Sequence, residues 1–512
     1  MLSPQAQAGS IPDSMSIATY SRLLYRVCDR VTEWLIYFAI LFGPWAFGTT
    51  QPWSIRVMNG AGFALGLLLL AKVLVRSMGF RPLRWIRFCG NGESSRWVKG
   101  ERRFTWMLGV GTFCILLYCL ISAWNARAIY HPEQWRFEYR NAIPWLPHSY
   151  DQESSWSKFW EYLGLAGLFW ALRDWLLAAT PEETERFEAE GFFNQGGSRL
   201  PVRLRRLFWV LTFNGAALAM EGLMQRVDGG NKLLWLVIPR FNQTAESQFG
   251  PYAYRSNAAQ YFNMLWPAVL GFWWASTSPS RRHKTPENIE RRRQFSVLLP
   301  CILLIAICPL VSTTRGGAIV LVINLVLATG IMVAAQWRSG WRAKFLILTF
   351  VSAVILGGAI LGWKALAPRM ERIHQGYNER EALYLAGQYM ARDNPVFGTG
   401  PGTFDTMYQL YRRSEEDIWQ AYLHNDWLET LITFGRVGAA PIFLAGILVL
   451  SHWFWCGGIY GNRYFVMLLW VSIIGCLIHA WFDFPLQVHS VLTLFLVLCA
   501  VLSCLSRRLA TV

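Results

Sequence analysis

The chain has 512 residues, 54% of them hydrophobic, with 27 tryptophans and a formal net charge of +16. A soluble chain of this length carries more charge and fewer aromatics. Its basic residues lie between apolar runs of about 17–22 residues, long enough to cross a bilayer as helices; this charge pattern sets membrane orientation and speaks against a nucleic-acid partner.

The expected fold is all-α: a polytopic helical membrane protein of about twelve transmembrane helices with a large outer helical loop. The first thirty residues carry charges and no long apolar core, so no cleavable signal sequence is expected. Ten cysteines occur without a CxxC pair, which argues against a disulfide framework and a thiolate metal site.

Residues 1–31 read as a cytoplasmic segment. Residues 32–366 hold nine spans: Trp34–Phe47, Val57–Val75, Thr105–Trp124, Phe159–Ala179, Leu207–Met224, Asn257–Ser276, Phe295–Ser312, Ala318–Gln336 and Phe345–Leu366. The basic segments Arg76–Arg103 and Ser278–Arg293 place the intervening loops alternately inside and outside. Arg173 and Asp174, near the inner end of the fourth span, read as snorkelling groups. Residues 367–430 form the outer loop, where Glu379–Arg392 and Asp417–Phe434 have an amphipathic helical pattern. Residues 431–512 give three more spans, Leu431–Trp455, Phe465–Trp481 and Ser490–Leu505, and a short cytoplasmic tail.

The polar chemistry concentrates in Asn394–Gly438. This stretch opens with Gly398-Thr399-Gly400-Pro401-Gly402, continues through Arg412 and Arg413, and reaches His424 before the chain turns apolar. An imidazole there accepts a proton from a hydroxyl near neutral pH. Asn425 and Asp426 follow it, but neighbours on a helix do not face the same way, so no dyad is read between them. Gly400 and Gly402 read as a tight turn before a helix, whose N-terminus helps hold an anion. Arg315, in the two-glycine turn after Ser312-Thr313-Thr314, and Arg255, just before the sixth span, fit either interfacial anchors or paired donors to a pyrophosphate. Arg380 fits a surface ion pair or a third such donor. His479 and Asp483 are four apart and share a helix face. No DxD, HExxH or Cys/His cluster implies a metal, and no cofactor is implied. A multi-span transporter is the alternative reading, resting on the intramembrane charges Glu161, Arg173, Asp174 and Glu221.

The pieces FGPYAYRSNAAQYFNMLWP, STTRGG, NPVFGTGPGTF, AYLHNDWLETLITFGRVG and HAWFDFPLQ, in that order over about Gly250–Gln487, resemble the O-antigen ligase family. That family also holds lipid-linked glycan polymerases and protein O-oligosaccharyltransferases. Ala480 and Trp481-Phe482 depart from its common pattern. The resemblance implies a GT-C-like architecture in the bacterial cytoplasmic membrane with an active site facing the periplasm. It implies metal-independent, inverting transfer of a glycan from a polyprenyl pyrophosphate to a lipid or glycan acceptor. Arg315 and Arg255, with Arg380 as a third candidate, would hold the pyrophosphate. His424 would act on the acceptor hydroxyl. Asn425, Gly400, Gly402, His479 and Asp483 would support the site.

Overall fold

The computed structural model describes residues 17–79, 82, 94–190, 200–277, 294–336, 341–371, 373–412, 419–455 and 463–509. The basic segment Ser278–Arg293, Arg413, nearly half of Arg76–Arg103, about half of the 1–31 segment and nearly all of the inner turn Gly457–Arg463 lie outside them.

The helices run in chain order as α1 (Ile17–Trp45), α2 (Pro52–Ser77), α3 (Ser94–Trp124), α4 (Gln152–Leu177), α5 (Pro181–Glu190), α6 (Val202–Asp228) and α7 (Arg255–Thr277). They continue as α8 (Leu298–Val311), α9 (Arg315–Ala335), α10 (Trp341–Glu371), α11 (Ile373–Asp393) and α12 (Phe404–Tyr411). The last three are α13 (Asp426–Trp455), α14 (Arg463–His479) and α15 (His489–Leu509).

Each apolar run read from the sequence overlaps a helix. Seven helices among the described residues, α2, α3, α6, α8, α9, α10 and α13, are long and apolar enough to cross a membrane by length and composition. Two more, α14 and α15, are apolar but shorter. The chain is a multi-pass membrane protein. In α4 and α7 polar residues dilute the apolar run because these helices bury them against other helices, whereas Arg22, Arg26 and Arg30 of α1 are exposed. The helix α7 is buried over nearly its whole length.

One exception to the all-α expectation is a two-stranded antiparallel hairpin, β1 (Ala128–His131) and β2 (Arg136–Tyr139), with Ala128 opposite Tyr139. Ile129, Tyr130, Phe137 and Tyr139 are β-branched or aromatic residues that suit strands. The segment after it docks inward. Tyr150 N–H donates to Thr399 O at 2.9 Å, and Ser155 Oγ donates to Pro401 O at 2.8 Å. In this segment His148, Ser149 and Asp151 are buried. Asp151 caps α4 by accepting from Ser154 N–H.

Arg173 and Asp174 do not snorkel. Both are buried, and Asp174 pairs with Arg76 at 2.7 Å and Lys72 at 3.1 Å. Lys72, fully buried, also meets Asp29 at 3.4 Å, and Asp29 pairs with Arg203 at 2.5 Å. Arg173 stacks over Trp170 and Phe104. The network ties α1, α2, α4 and α6 together at the end of the bundle opposite Ser155, because α4 separates the two ends by about 30 Å at 1.5 Å per residue. A buried pair leaves a costly lone charge when one partner is removed. Here Lys72→Met leaves Asp174 with Arg76 and Asp29 with Arg203, so it should lower stability by about 1.5–3 kcal/mol, the worth of a hydrogen bond to a charged group. Thermal unfolding in detergent measures it, and an unchanged melting temperature would count against the network.

Above the other end sits a small second core. Leu383, Ala386 and Met390 of α11 pack with Phe404, Met407 and Tyr408 of α12, and with Leu423 and Ile432. The amphipathic pattern of Glu379–Arg392 thus finds its burial partner within the loop itself. The short α12 is the helix expected directly after the Gly400–Gly402 turn.

Candidate functional site

The helical pattern read from Asp417 is overturned at its start: α13 begins only at Asp426. Asn425 stops it there. Its Oδ1 accepts from Leu428 N–H at 3.0 Å, satisfying one amide of the first helical turn. His424 therefore lies before the helix, in the left-handed backbone region at φ 58°. Leu423 behind it is fully buried, and its N–H donates to Glu429 Oε2 at 2.8 Å. Tyr384 of α11 donates its hydroxyl to His424 O at 3.0 Å. Three contacts thus fix the elbow, while the imidazole remains about one-fifth exposed, at 20%.

The partner of that imidazole comes from the far end of the chain. His424 Nδ1 lies 2.9 Å from Asp483 Oδ1. Asp483 sits in the turn between α14 and α15, where its side chain is largely buried. Its other oxygen accepts from Ser256 Oγ and lies 3.6 Å from His479 Nε2. Burial alone would raise the Asp483 carboxyl. The hydrogen bonds from His424 and His479, together with their charges, outweigh that and hold it well below the usual carboxylate range. His479 ends α14, and its Nδ1 meets Gln260 Oε1. The i,i+4 pair read from the sequence is present, with Asp483 in a turn rather than on the helix.

Arg315 is the first residue of α9. Thr314 caps that helix by accepting from Gly317 N–H at 3.1 Å. Gly316 lies so close to the dyad's support that a Cβ there would come 2.7 Å from the Phe482 ring and 3.0 Å from His479 Nε2. The STTRGG turn and the HAWFDF segment are thus in direct apposition. Arg380 joins from α11, donating Nη1–H to Phe482 O at 2.6 Å. Arg255 is flanked by Tyr254, whose ring lies 6.3 Å from that of His424, and by Ser256 on the Asp483 carboxylate. Its own guanidinium turns to the carbonyl of Glu246 in the loop before α7.

Gly400 and Gly402 lie elsewhere. Gly400 packs on Ser149, and Gly402 on Lys158 and Ser154. Their neighbour Gly398 explains the turn. α13 breaks at Gly435, with φ 58° and ψ −170°, and frees carbonyls of the preceding turn. The 395–400 turn fills the break. Thr399 N–H donates to Ile432 O, Gly400 N–H to Thr433 O, and in return Arg436 N–H donates to Pro395 O. A Cβ at Gly398 would fall 2.5 Å from Ile432 O, and one at Gly435 would fall 2.3 Å from Val396 O. Neither position has room for a side chain, so the glycines set the course of α13 below His424.

Sequence reasoning missed the aromatic wall of the site. Phe484 stacks with Tyr254 and Tyr422, with centroids 5.4 and 4.3 Å away, and meets the His424 ring in a T-shaped contact at 4.8 Å. It also missed Ser256 and Gln260. Their i,i+4 spacing, continued by Asn263, makes a polar stripe along an otherwise apolar α7, and that stripe was the available signal. Asn263 extends the same contact surface by donating to Gly317 O at 2.9 Å.

The arrangement offers one histidine held by a carboxylate, beside a capped helix N-terminus and a set of arginines. It can remove a proton at His424 while holding negative charge near Arg315. No curated protein matches the chain. Residues 300–444, which carry Arg315, Arg380, the interlocked glycines and His424, match the family model described as O-antigen ligase.

Proposed function

We propose that the protein transfers a glycan from a polyprenyl-pyrophosphate donor to an acceptor hydroxyl at the periplasmic face of the bacterial cytoplasmic membrane. The observation that carries this reading is the His424–Asp483 pair, set where the N-terminus of α9 brings Arg315. An Nδ1–H donated to Asp483 leaves the Nε2 lone pair of His424 to accept the acceptor's proton. The acceptor oxygen then forms a bond to the anomeric carbon as the bond from that carbon to the pyrophosphate oxygen breaks. The electron pair leaves on the pyrophosphate, and attack from the opposite face inverts the anomeric centre. Cations placed where the leaving charge develops stabilise it most in a water-poor site. Arg315, the N-terminal amides of α9, Arg255 and Arg380 supply that charge. A pyrophosphate leaves readily, so the scheme requires no metal. A ligase and a polymerase share every one of these steps and differ in the acceptor.

Arg315→Ala and Arg255→Ala should each reduce transfer by about 10–100-fold, the worth of one charge-assisted hydrogen bond. Lysine should restore only part, since it lacks the paired donor geometry. The measurement is turnover of a lipid-pyrophosphate glycan by purified variants, with and without chelator. Wild-type rates in both alanine variants, at normal protein levels, would remove the pyrophosphate role. Activity that collapses in chelator and returns with a divalent cation would contradict the metal-free scheme.

A further inference from the structure

A cavity opens away from His424. It has a volume of about 440 Å³ and lies between α11 and α13, lined by Leu385, Tyr389, Arg392, Pro395, Leu431 and Arg436. The α11 contributors recur at three- and four-residue spacing, on a face turned roughly a third of a circle from Arg380 and Tyr384, which serve His424. Arg392 and Arg436 are exposed, and neither forms an ion pair with a described residue. Two guanidinium groups facing one cavity without a carboxylate repel each other and favour an anion between them.

The position narrows the anion. From Arg436 to Trp455, α13 is about 29 Å long, close to the roughly 30 Å hydrocarbon thickness of a bilayer. Arg436 therefore stands at headgroup level when α13 crosses the membrane. Directly below it on the same helix face are Ala440, Leu444 and Ile447, all exposed, the last two at 59% each. Leu385 and Leu431 add exposed apolar surface at the cavity rim. A cationic cavity opening onto an apolar stripe matches a phosphate with acyl chains attached, and a soluble anion would gain nothing from the stripe.

We propose that this cavity binds the phosphate of an anionic lipid headgroup in the leaflet on the His424 side, with the acyl chains along α13. The proposal rests on α13 crossing the membrane from that side, as the proposed function does, and not on the transfer chemistry. About 15 Å of α13 separates Asp426 from Arg436, so a lipid held there leaves the dyad open.

The test is direct binding to the full-length protein in phosphatidylcholine nanodiscs. The probes are short-chain phosphatidic acid, short-chain phosphatidylcholine and inorganic phosphate, followed by thermophoresis. Phosphatidic acid should bind saturably, and Arg392→Ala with Arg436→Ala should weaken it at least ten-fold. The paired lysine variant should keep most of the affinity, because the site recognises charge. Arg392→Gln, at an exposed position of a loop helix, reads the same loss if the alanine pair does not accumulate. His424→Ala should bind phosphatidic acid as the wild type does, even where transfer is abolished, which separates this proposal from the catalytic one. Unchanged affinity in the arginine variants would overturn it. Phosphatidylcholine binding as tightly as phosphatidic acid, or inorganic phosphate competing at equal concentration, would show that no anionic lipid is selected.

Discussion

His424→Ala should slow glycan transfer by about 10²–10⁴-fold, the usual contribution of a positioned base, while donor affinity changes little. Three contacts hold the elbow of the backbone: buried Leu423 bonded to Glu429, Tyr384 on His424 O, and Asn425 capping α13. Only the ring reaches out, so a substitution there acts on chemistry more than on the fold. The left-handed backbone at His424 guides the choice of variants. Asparagine tolerates that conformation better than most residues, so His424→Asn should keep the elbow and lose the base. Glutamine keeps a hydrogen-bonding group without a useful base and should also remain poor. Transfer rate against pH, with donor binding measured separately, distinguishes the roles. Any pH limb of the wild-type rate that belongs to the base should vanish in the variants. Near-normal rates for His424→Gln would reduce the residue to positioning the acceptor. A loss confined to donor binding would move His424 into the pyrophosphate site.

The membrane class was legible because a bilayer demands long apolar runs, and no local detail disguises them. Arg315 and His424 were legible as polar residues at the mouths of such runs. The partner of His424 was not. Asp483 lies 59 residues away, beyond α13 and α14, and nearest-neighbour spacing matched it to His479 instead. Both contacts exist, because one carboxylate has two oxygens. Amphipathic spacing carried the reading of a helix across His424, where Asn425 in fact starts a new one. A capping side chain decides such a boundary, and periodicity does not register it. Gly398 and Gly435 show the same limit from the other side. Each is an ordinary turn or helix glycine in sequence, and only the interlocked backbones reveal why neither can carry a Cβ. The buried ions were misread for want of partners. Asp174 alone fits snorkelling, but with Lys72 and Arg76 beside it the group is a structural tie, and the transport pathway those charges suggested loses one of its supports.

Asp483→Asn should lower the maximal transfer rate by about 10²–10⁴-fold as well, by removing the base's orientation rather than the base. The carboxylate accepts from His424 Nδ1 and thereby leaves Nε2 free to take the acceptor's proton. An asparagine amide can present its N–H₂ to Nδ1 instead, which places the imidazole proton on Nε2 and blocks it. The effect should fall on kcat, with the KM for the donor nearly unchanged, because Arg315 and Arg255 keep their places. The stability signature has a definite sign. The folded-state carboxyl is held below its ordinary value by the two histidines, so its contribution is present above the usual carboxylate range. It is lost as pH falls through the depressed value. Wild-type stability should therefore decline in strong acid, and Asp483→Asn should show a shallower decline there. Asp483→Ala, which leaves Ser256 and His479 without their acceptor, should be less stable than Asp483→Asn, and the two together separate folding from catalysis. Normal turnover in a folded Asp483→Asn protein would dissolve the dyad and leave His424 without the orientation the mechanism requires.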